Sequence, residues 1–149
     1  MVLMLLAVLL GAAVPRMRGF AVGRADADAA DSVLAMTRMA RGLAATNGTV
    51  SRLNFDFQAG GYWLTVQQGG KFVEPGTSDS RPQVLASGMG VRLDLPPDVE
   101  QRPYVQFMPD GRAEEAMISL ICRDGDVYRV CCPSATDTFR VIKPTEYQP

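Results

Sequence analysis

The sequence predicts an α+β fold: one long N-terminal helix, a hydrophobic anchor followed by an amphipathic extension, packed on an antiparallel β-sheet domain of about seven short strands. Three observations predict it. Met1 to Val14 carries no charged and no polar side chain. Residues 25–46 are rich in alanine and repeat their apolar residues at helical spacing. After Gly48 the period falls to two, and glycine-bearing turns punctuate it. The 149 residues suit one chain domain, divided into an anchor part of the helix (1–24), an amphipathic part (25–48) and a β domain (49–149).

Composition removes several function classes. With 15 basic and 16 acidic residues the net charge is −1, so no bulk attraction to nucleic acid or anionic lipid is expected. Histidine is absent, which removes the commonest general base, the usual triads and most zinc ligand sets. No G-x-S-x-G, P-loop or metal-ligand spacing occurs, and Gly88-Met89-Gly90 reads as a turn into a strand. Paired acids such as Glu114-Glu115 read as solvated turn charges. No catalytic residue, cofactor or metal is expected.

The apolar start, with Val2, Leu3, Leu5, Leu6, Val8, Leu9 and Leu10, reaches roughly 21 Å as a helix. That is short of the ~30 Å hydrocarbon core, so this stretch reads as the tail of a longer apolar helix that begins upstream of Met1. A signal-peptide core is the competing reading, but the usual basic stretch before it is missing. Pro15 should kink or interrupt the helix, and Arg16 and Arg18 set the membrane edge near it.

Ala29, Val33, Met36, Ala40 and Leu43 then form one apolar stripe, which is expected to dock on the sheet. Asp26, Asp28 and Asp31 would load the early turns of this helix and Arg38 and Arg41 the last ones, each favoured by the macrodipole. Read as a calcium loop, the aspartates fail, because the sixth position is Asp31 and the twelfth Thr37. Asn47-Gly48 supplies the stop; Asn47-Gly48-Thr49 is also a glycosylation sequon, but the cap explains it more simply.

Leu53, Phe55 and Phe57 alternate with Arg52, Asn54 and Asp56 as a strand, and Ala59-Gly60-Gly61 turns it into the partner Tyr62 to Val66. The polar run 75–82 (PGTSDSRP) offers nothing apolar to bury and is expected to be mobile. Further strands are expected around 71–74, 91–95, 104–108, 118–122, 128–132 and 138–143. Pro109-Asp110-Gly111 and Arg123-Asp124-Gly125 are two turns of one chemistry, glycine supplying the positive φ before a bulge. A three-residue loop at the second pairs Leu120 with Tyr128 and puts Ile118, Leu120, Cys122, Tyr128, Val130 and Cys132 on one face. The three cysteines read either as a disulfide of Cys122 with Cys131 or Cys132 plus a spare thiol, or as three small buried apolar residues.

The order of these segments resembles a type IV pilin-like protein, with LMLLAVLLGAAVPRM (3–17) similar to the second half of the pilin signature helix. The Ala40-Arg41-Gly42-Leu43-Ala44 helix end and the strand Val105 to Arg112 (VQFMPDGR) resemble the GspH/FimT group of minor pseudopilins. Two features depart from it: the leader, cleavage glycine and helix glutamate would have to precede Met1, and Thr136 to Arg140 keeps the arginine but not the glycine of the group's Thr-Gly-Arg turn.

What the resemblance implies is a minor pseudopilin of a type II secretion pseudopilus, placed at or near its tip. It would sit in the bacterial inner membrane as a single-pass protein with its β domain in the periplasm. Its partners would be inner-membrane lipid before assembly, other pseudopilins afterwards, and a prepilin peptidase if the leader exists upstream. The alternative within the architecture is a minor pilin of a type IV pilus or DNA-uptake system. Arg112, Arg129, Arg140 and Lys143 are its candidate partner or DNA contacts, although Asp110, Asp124, Asp126 and Asp137 beside them disfavour DNA. From another class, a signal-anchored periplasmic β domain that binds a ligand or acts as an enzyme stands as the contrasting reading.

Overall fold

The computed structural model describes the backbone of residues 2–146, and the side-chain surroundings of residues 23–146. Helix α1 runs from Val2 to Asn47 as one element, so it crosses the expected break at Pro15 without interruption. The anchor residues Val2, Leu3, Leu5, Leu6, Val8, Leu9, Leu10 and Pro15 lie outside the residues whose side chains are described. Because the helix starts so early, Asp26, Asp28 and Asp31 sit mid-helix and Arg41 precedes the last turn; neither terminal turn carries the expected charge. Macrodipole complementarity therefore does not set this helix. Its stop is as expected: Gly48 adopts a φ of 65°, and the Thr49 N–H donates to the Ala44 carbonyl at 3.2 Å.

The buried seam of α1 is Asp26, Ala30, Val33, Met36, Thr37, Ala40 and Ala44. Val33, Met36 and Ala40 are the expected stripe residues, whereas Ala29 and Leu43 are only partly buried at its margin. The stripe is rotated slightly toward the smaller alanines, because the helix lies close against two sheets at once. Small side chains let the backbones approach, and the Ser51 hydroxyl donates to the Ala40 carbonyl at 2.5 Å across that contact.

Nine strands follow: β1 (Ser51–Asp56), β2 (Gly61–Gln68), β3 (Lys71–Val73), β4 (Gln83–Val84), β5 (Gly90–Asp94), β6 (Tyr104–Phe107), β7 (Ala116–Ile121), β8 (Val127–Cys132) and β9 (Arg140–Ile142). The first sheet has the order β3-β2-β1-β6 with β4 paired to β2, and the second the order β5-β7-β8-β9, all antiparallel. The short β4 escapes a reading of periodicity because it has two residues, both exposed. The 75–82 loop is more ordered than expected. It contains a 3-10 turn, Ser78–Ser80, with Ser80 buried and bonded to Thr77.

Between the sheets lies the core: Leu53, Phe55, Leu64, Val105 and Phe107 from one face, Val91, Leu93, Ile118, Leu120 and Val130 from the other, with the helix seam closing it. Each such aliphatic side chain stabilises the fold by about 1.5–3 kcal/mol. The hairpin register is as expected, with Leu120 opposite Tyr128 and Ile118 opposite Val130. Both Asp-Gly turns close alike: Gly111 and Gly125 have φ of 87° and 92°, and Asp110 and Asp124 each accept a backbone N–H two residues on at 3.0 Å. Gly88 (φ 84°) turns the chain into β5, and a Cβ there would run into the Arg123 side chain.

The cysteine disulfide is not formed: Cys122, Cys131 and Cys132 are three free, buried thiols. Register explains it. Cys132 faces Ala116 and Cys131 faces Met117, at the opposite end of β7 from Cys122, so either pair is separated by roughly 17–20 Å along the hairpin. The reading as small buried residues holds.

Neighbouring residues of β7 give a paired test. Leu120 is fully buried in the core, whereas the Ser119 hydroxyl is buried without a hydrogen-bond partner among the described residues. Leu120→Ala is expected to cost about 2–5 kcal/mol. Ser119→Ala removes an unsatisfied donor and is expected to leave stability unchanged or raise it. Urea unfolding followed through Trp63, the single tryptophan, measures both.

Candidate functional site

The predicted basic contacts are brought together only in part. Arg112 sits on the turn after β6 and pairs with Asp110 at 2.6 Å, so its charge is met locally. Its backbone N–H and then its guanidinium hold the Asp110 carboxyl below its ordinary value. Arg129 and Arg140 share the outer face of the second sheet, Arg129 opposite Ile142 and Arg140 opposite Cys131. Lys143 follows β9, where its backbone N–H donates to Glu146 at 3.2 Å. Arg129 and Arg140 thus lie on neighbouring strands of one face with Lys143 just beyond β9, while Arg112 stands apart on its own turn.

The outer face of the first sheet is built differently. Arg52 points away from the core, its guanidinium carbon 3.6 Å from the centre of the Phe72 ring and 4.1 Å from that of Tyr104, while Nε donates to Gln106 at 3.0 Å. Arg102 stacks on the other side of the contact, 4.7 Å from the Tyr104 ring, and pairs with Glu114. Glu114 also accepts the Gln106 N–H at 2.9 Å. Arginines thus lie over the Phe72 and Tyr104 rings, and this ladder ties β3, β1 and β6 together. Its signal was in the sequence as outward positions 52, 72 and 104, but only the register of β1 with β2 and β6 brings them into line.

One cluster was missed. Asp26 from α1 and Cys122 and Asp124 from the β7–β8 turn bring one ligand atom each within 4.8 Å of one another. Sequence reading assigned Asp26 to a solvated helix start, and nothing local links it to residues about a hundred positions later. Burial first, then the charge and hydrogen bond of Asp26, then Asp124 and Asp126, push the Cys122 thiol from 9.0 up to about 12. Asp26, Cys122 and Asp124 form the one cluster of metal-ligating chemistry among the described residues, with one ligand fewer than the four of a closed structural zinc site.

Beside the end of β5 and the start of β7, two adjoining cavities of about 230 and 250 Å³ share Leu95, Pro96 and Glu115. Both are smaller than the usual small-molecule pocket of roughly 300–1,000 Å³. Among the described residues no helix is long and apolar enough to cross a membrane.

A single helix laid along a two-sheet antiparallel domain defines the class: a pilin-like fold. Solved structures share the fold. The minor pseudopilin EpsH of Vibrio cholerae aligns with a TM-score of 0.66 at 16% identity, covering 78% of this chain and 95% of that one. The solution structure of Escherichia coli GspH gives 0.64 at 14% identity, over 86% and 95%. The Pseudomonas aeruginosa type IV minor pilin FimU gives 0.55 at 18%, over 78% and 85%. No curated protein matches the chain significantly. The family model of the type II transport protein GspH matches residues 29–136, most of the chain. The chain belongs to the GspH family.

The elevated Cys122 thiol yields a pH test. A pKa raised on folding leaves its stabilisation intact below about pH 9, the unfolded value, and loses it as pH rises toward 12. Unfolding midpoints measured from pH 8 to 11 should therefore fall less steeply in Cys122→Ser than in the parent chain. At pH 8 all three buried thiols should resist a thiol reagent until the chain unfolds.

Proposed function

We propose that this chain is a minor pseudopilin of a type II secretion system, assembling into the pseudopilus through α1 and occupying a place at or near its tip. The observation that carries this reading is the helix. Val2–Asn47 is one continuous element, and its first part by sequence, Val2 to Val14, is wholly apolar. That apolar stretch would meet inner-membrane lipid first and neighbouring helices afterwards, with Gly11, Ala12 and Ala13 allowing close approach. The β domain would stand in the periplasm on a single-pass anchor, and maturation would need a prepilin peptidase if a leader precedes Met1. The role is structural, with no substrate chemistry and no cofactor.

Family membership over 29–136 supports type II secretion over the runner-up, a minor pilin of a type IV pilus or DNA-uptake system, which the FimU likeness keeps in view. Arg112, Arg129, Arg140 and Lys143 would be the DNA contacts in that case; Arg112 is already paired with Asp110, and a net charge of −1 gives no bulk attraction to DNA.

Deletion of the gene separates the two. Loss of secreted enzymes from the medium, with intact pilus-dependent motility and DNA uptake, is expected; the reverse pattern would replace secretion by the pilus reading. For DNA, the parent and an Arg140→Glu, Lys143→Glu variant should show the same weak binding, without the steep salt dependence of a phosphate-contacting surface.

A further inference from the structure

We propose that the trough beside the end of β5 and the start of β7 is a docking site for a segment of another protein that presents an arginine or lysine between apolar residues. The trough is lined by the loop after β5 (Leu95, Pro96, Asp98, Val99), by the start of β7 and by the chain after β8, with Ala135 and Pro133 closing its sides. Its floor is apolar. Leu95, Ala116, Cys131 and Cys132 are buried, and Val99 and Met117 are half-buried against them.

Charge selects the occupant. Four carboxylates line the two cavities, Asp94, Asp98, Glu114 and Glu115, and no lysine or arginine does. Two are neutralised from within the chain: Arg92 holds Asp94 at 3.0 Å and Arg102 holds Glu114. Asp98 and Glu115, both exposed on the rim, have no ion pair or hydrogen bond from a described residue. An apolar floor below two unmatched carboxylates suits a long cationic side chain, whose methylenes lie on the floor while its head meets the acids. Arginine matches best, since its planar fork can engage a carboxylate through two N–H donors. Each cavity has room for a side chain and its flanking residues, and too little for a typical cofactor.

This goes beyond the assembly reading, because it names a surface on the β domain, away from the helix-to-helix contacts, and the chemistry that fits it. The probe is a capped tripeptide, acetyl-Leu-Arg-Leu-amide, titrated into the full chain in detergent micelles and followed by amide NMR. The glutamate counterpart, acetyl-Leu-Glu-Leu-amide, serves as control. The expected result is a saturable shift of the amides of residues 95, 98–99, 114–116 and 135 with the arginine peptide alone. It should weaken roughly tenfold in an Asp98→Asn, Glu115→Gln variant and with rising salt. Both substitutions keep side-chain shape at exposed positions, so the fold is not at risk, and the unperturbed remainder of the spectrum verifies it. Absence of saturable shifts, equal shifts with the glutamate peptide, or shifts indifferent to the double substitution would overturn the proposal. None of these outcomes bears on secretion in the deletion strain, so the two readings fail separately.

Discussion

Everything in the β domain depends on the way α1 lies over the open mouth of two sheets. Antiparallel sheets with one apolar face each must cover that face, and here they cover one another incompletely. The remaining edge of the core is closed by Ala30, Val33, Met36, Thr37, Ala40 and Ala44, all buried. Closeness is what the alanines contribute. A larger side chain at Ala40 would lift the helix from Ser51, whose hydroxyl reaches the Ala40 carbonyl and is itself fully buried. Lifting it would leave that hydroxyl without its acceptor and open space around Val33 and Leu53. The seam is thus a packing constraint and a polar one at the same residue.

The two sheets differ in how they treat their outer faces. The first is tied across by arginines lying on aromatic rings, with Arg52 between Phe72 and Tyr104 and Arg102 against Tyr104 and Glu114. The second alternates apolar and charged residues, with Ile121 exposed and Arg92 paired to Asp94 on the same strand. A partially buried cation on a ring face keeps both strands of a short pair in register, which matters for β3, whose three residues supply few backbone bonds.

The sequence made the local parts of this legible and left the long-range ones hidden. Period-two alternation located β1, β2, β5 and β7, since each has one face in the core, and the two Asp-Gly turns were readable because the positive φ, the aspartate acceptor and the loop length are all properties of three adjacent residues. The family likeness of residues 40–44 and 105–112 was legible for the same reason, being carried by short runs. The stripe on α1 was readable at Val33, Met36 and Ala40, which are buried, and at Ala29 and Leu43, which pack against the core from its margin; Ala30 and Ala44 escaped because an alanine-rich helix marks the centre of its apolar face only weakly. β4 had no periodic signal to give.

Charge on the helix shows why local rules failed there. Three aspartates at 26, 28 and 31 look like the first turn of a helix when the apolar stretch before them is set apart by Pro15 and two arginines. In the continuous helix they have no terminus to complement, and they divide by direction: Asp28 and Asp31 face solvent, while Asp26 turns under the β7–β8 loop toward Cys122 and Asp124. The loop comes to it because the Cys122 N–H bonds Asp126 and the Gly125 N–H bonds Cys122, a closure that fixes Cys122 inward and Asp124 beside it. A buried carboxylate facing a thiol is tolerable only if one of the two stays neutral, and the thiol does so. The same three-residue turn that was readable from sequence therefore creates, through the helix lying under it, the one electrostatic feature that was not.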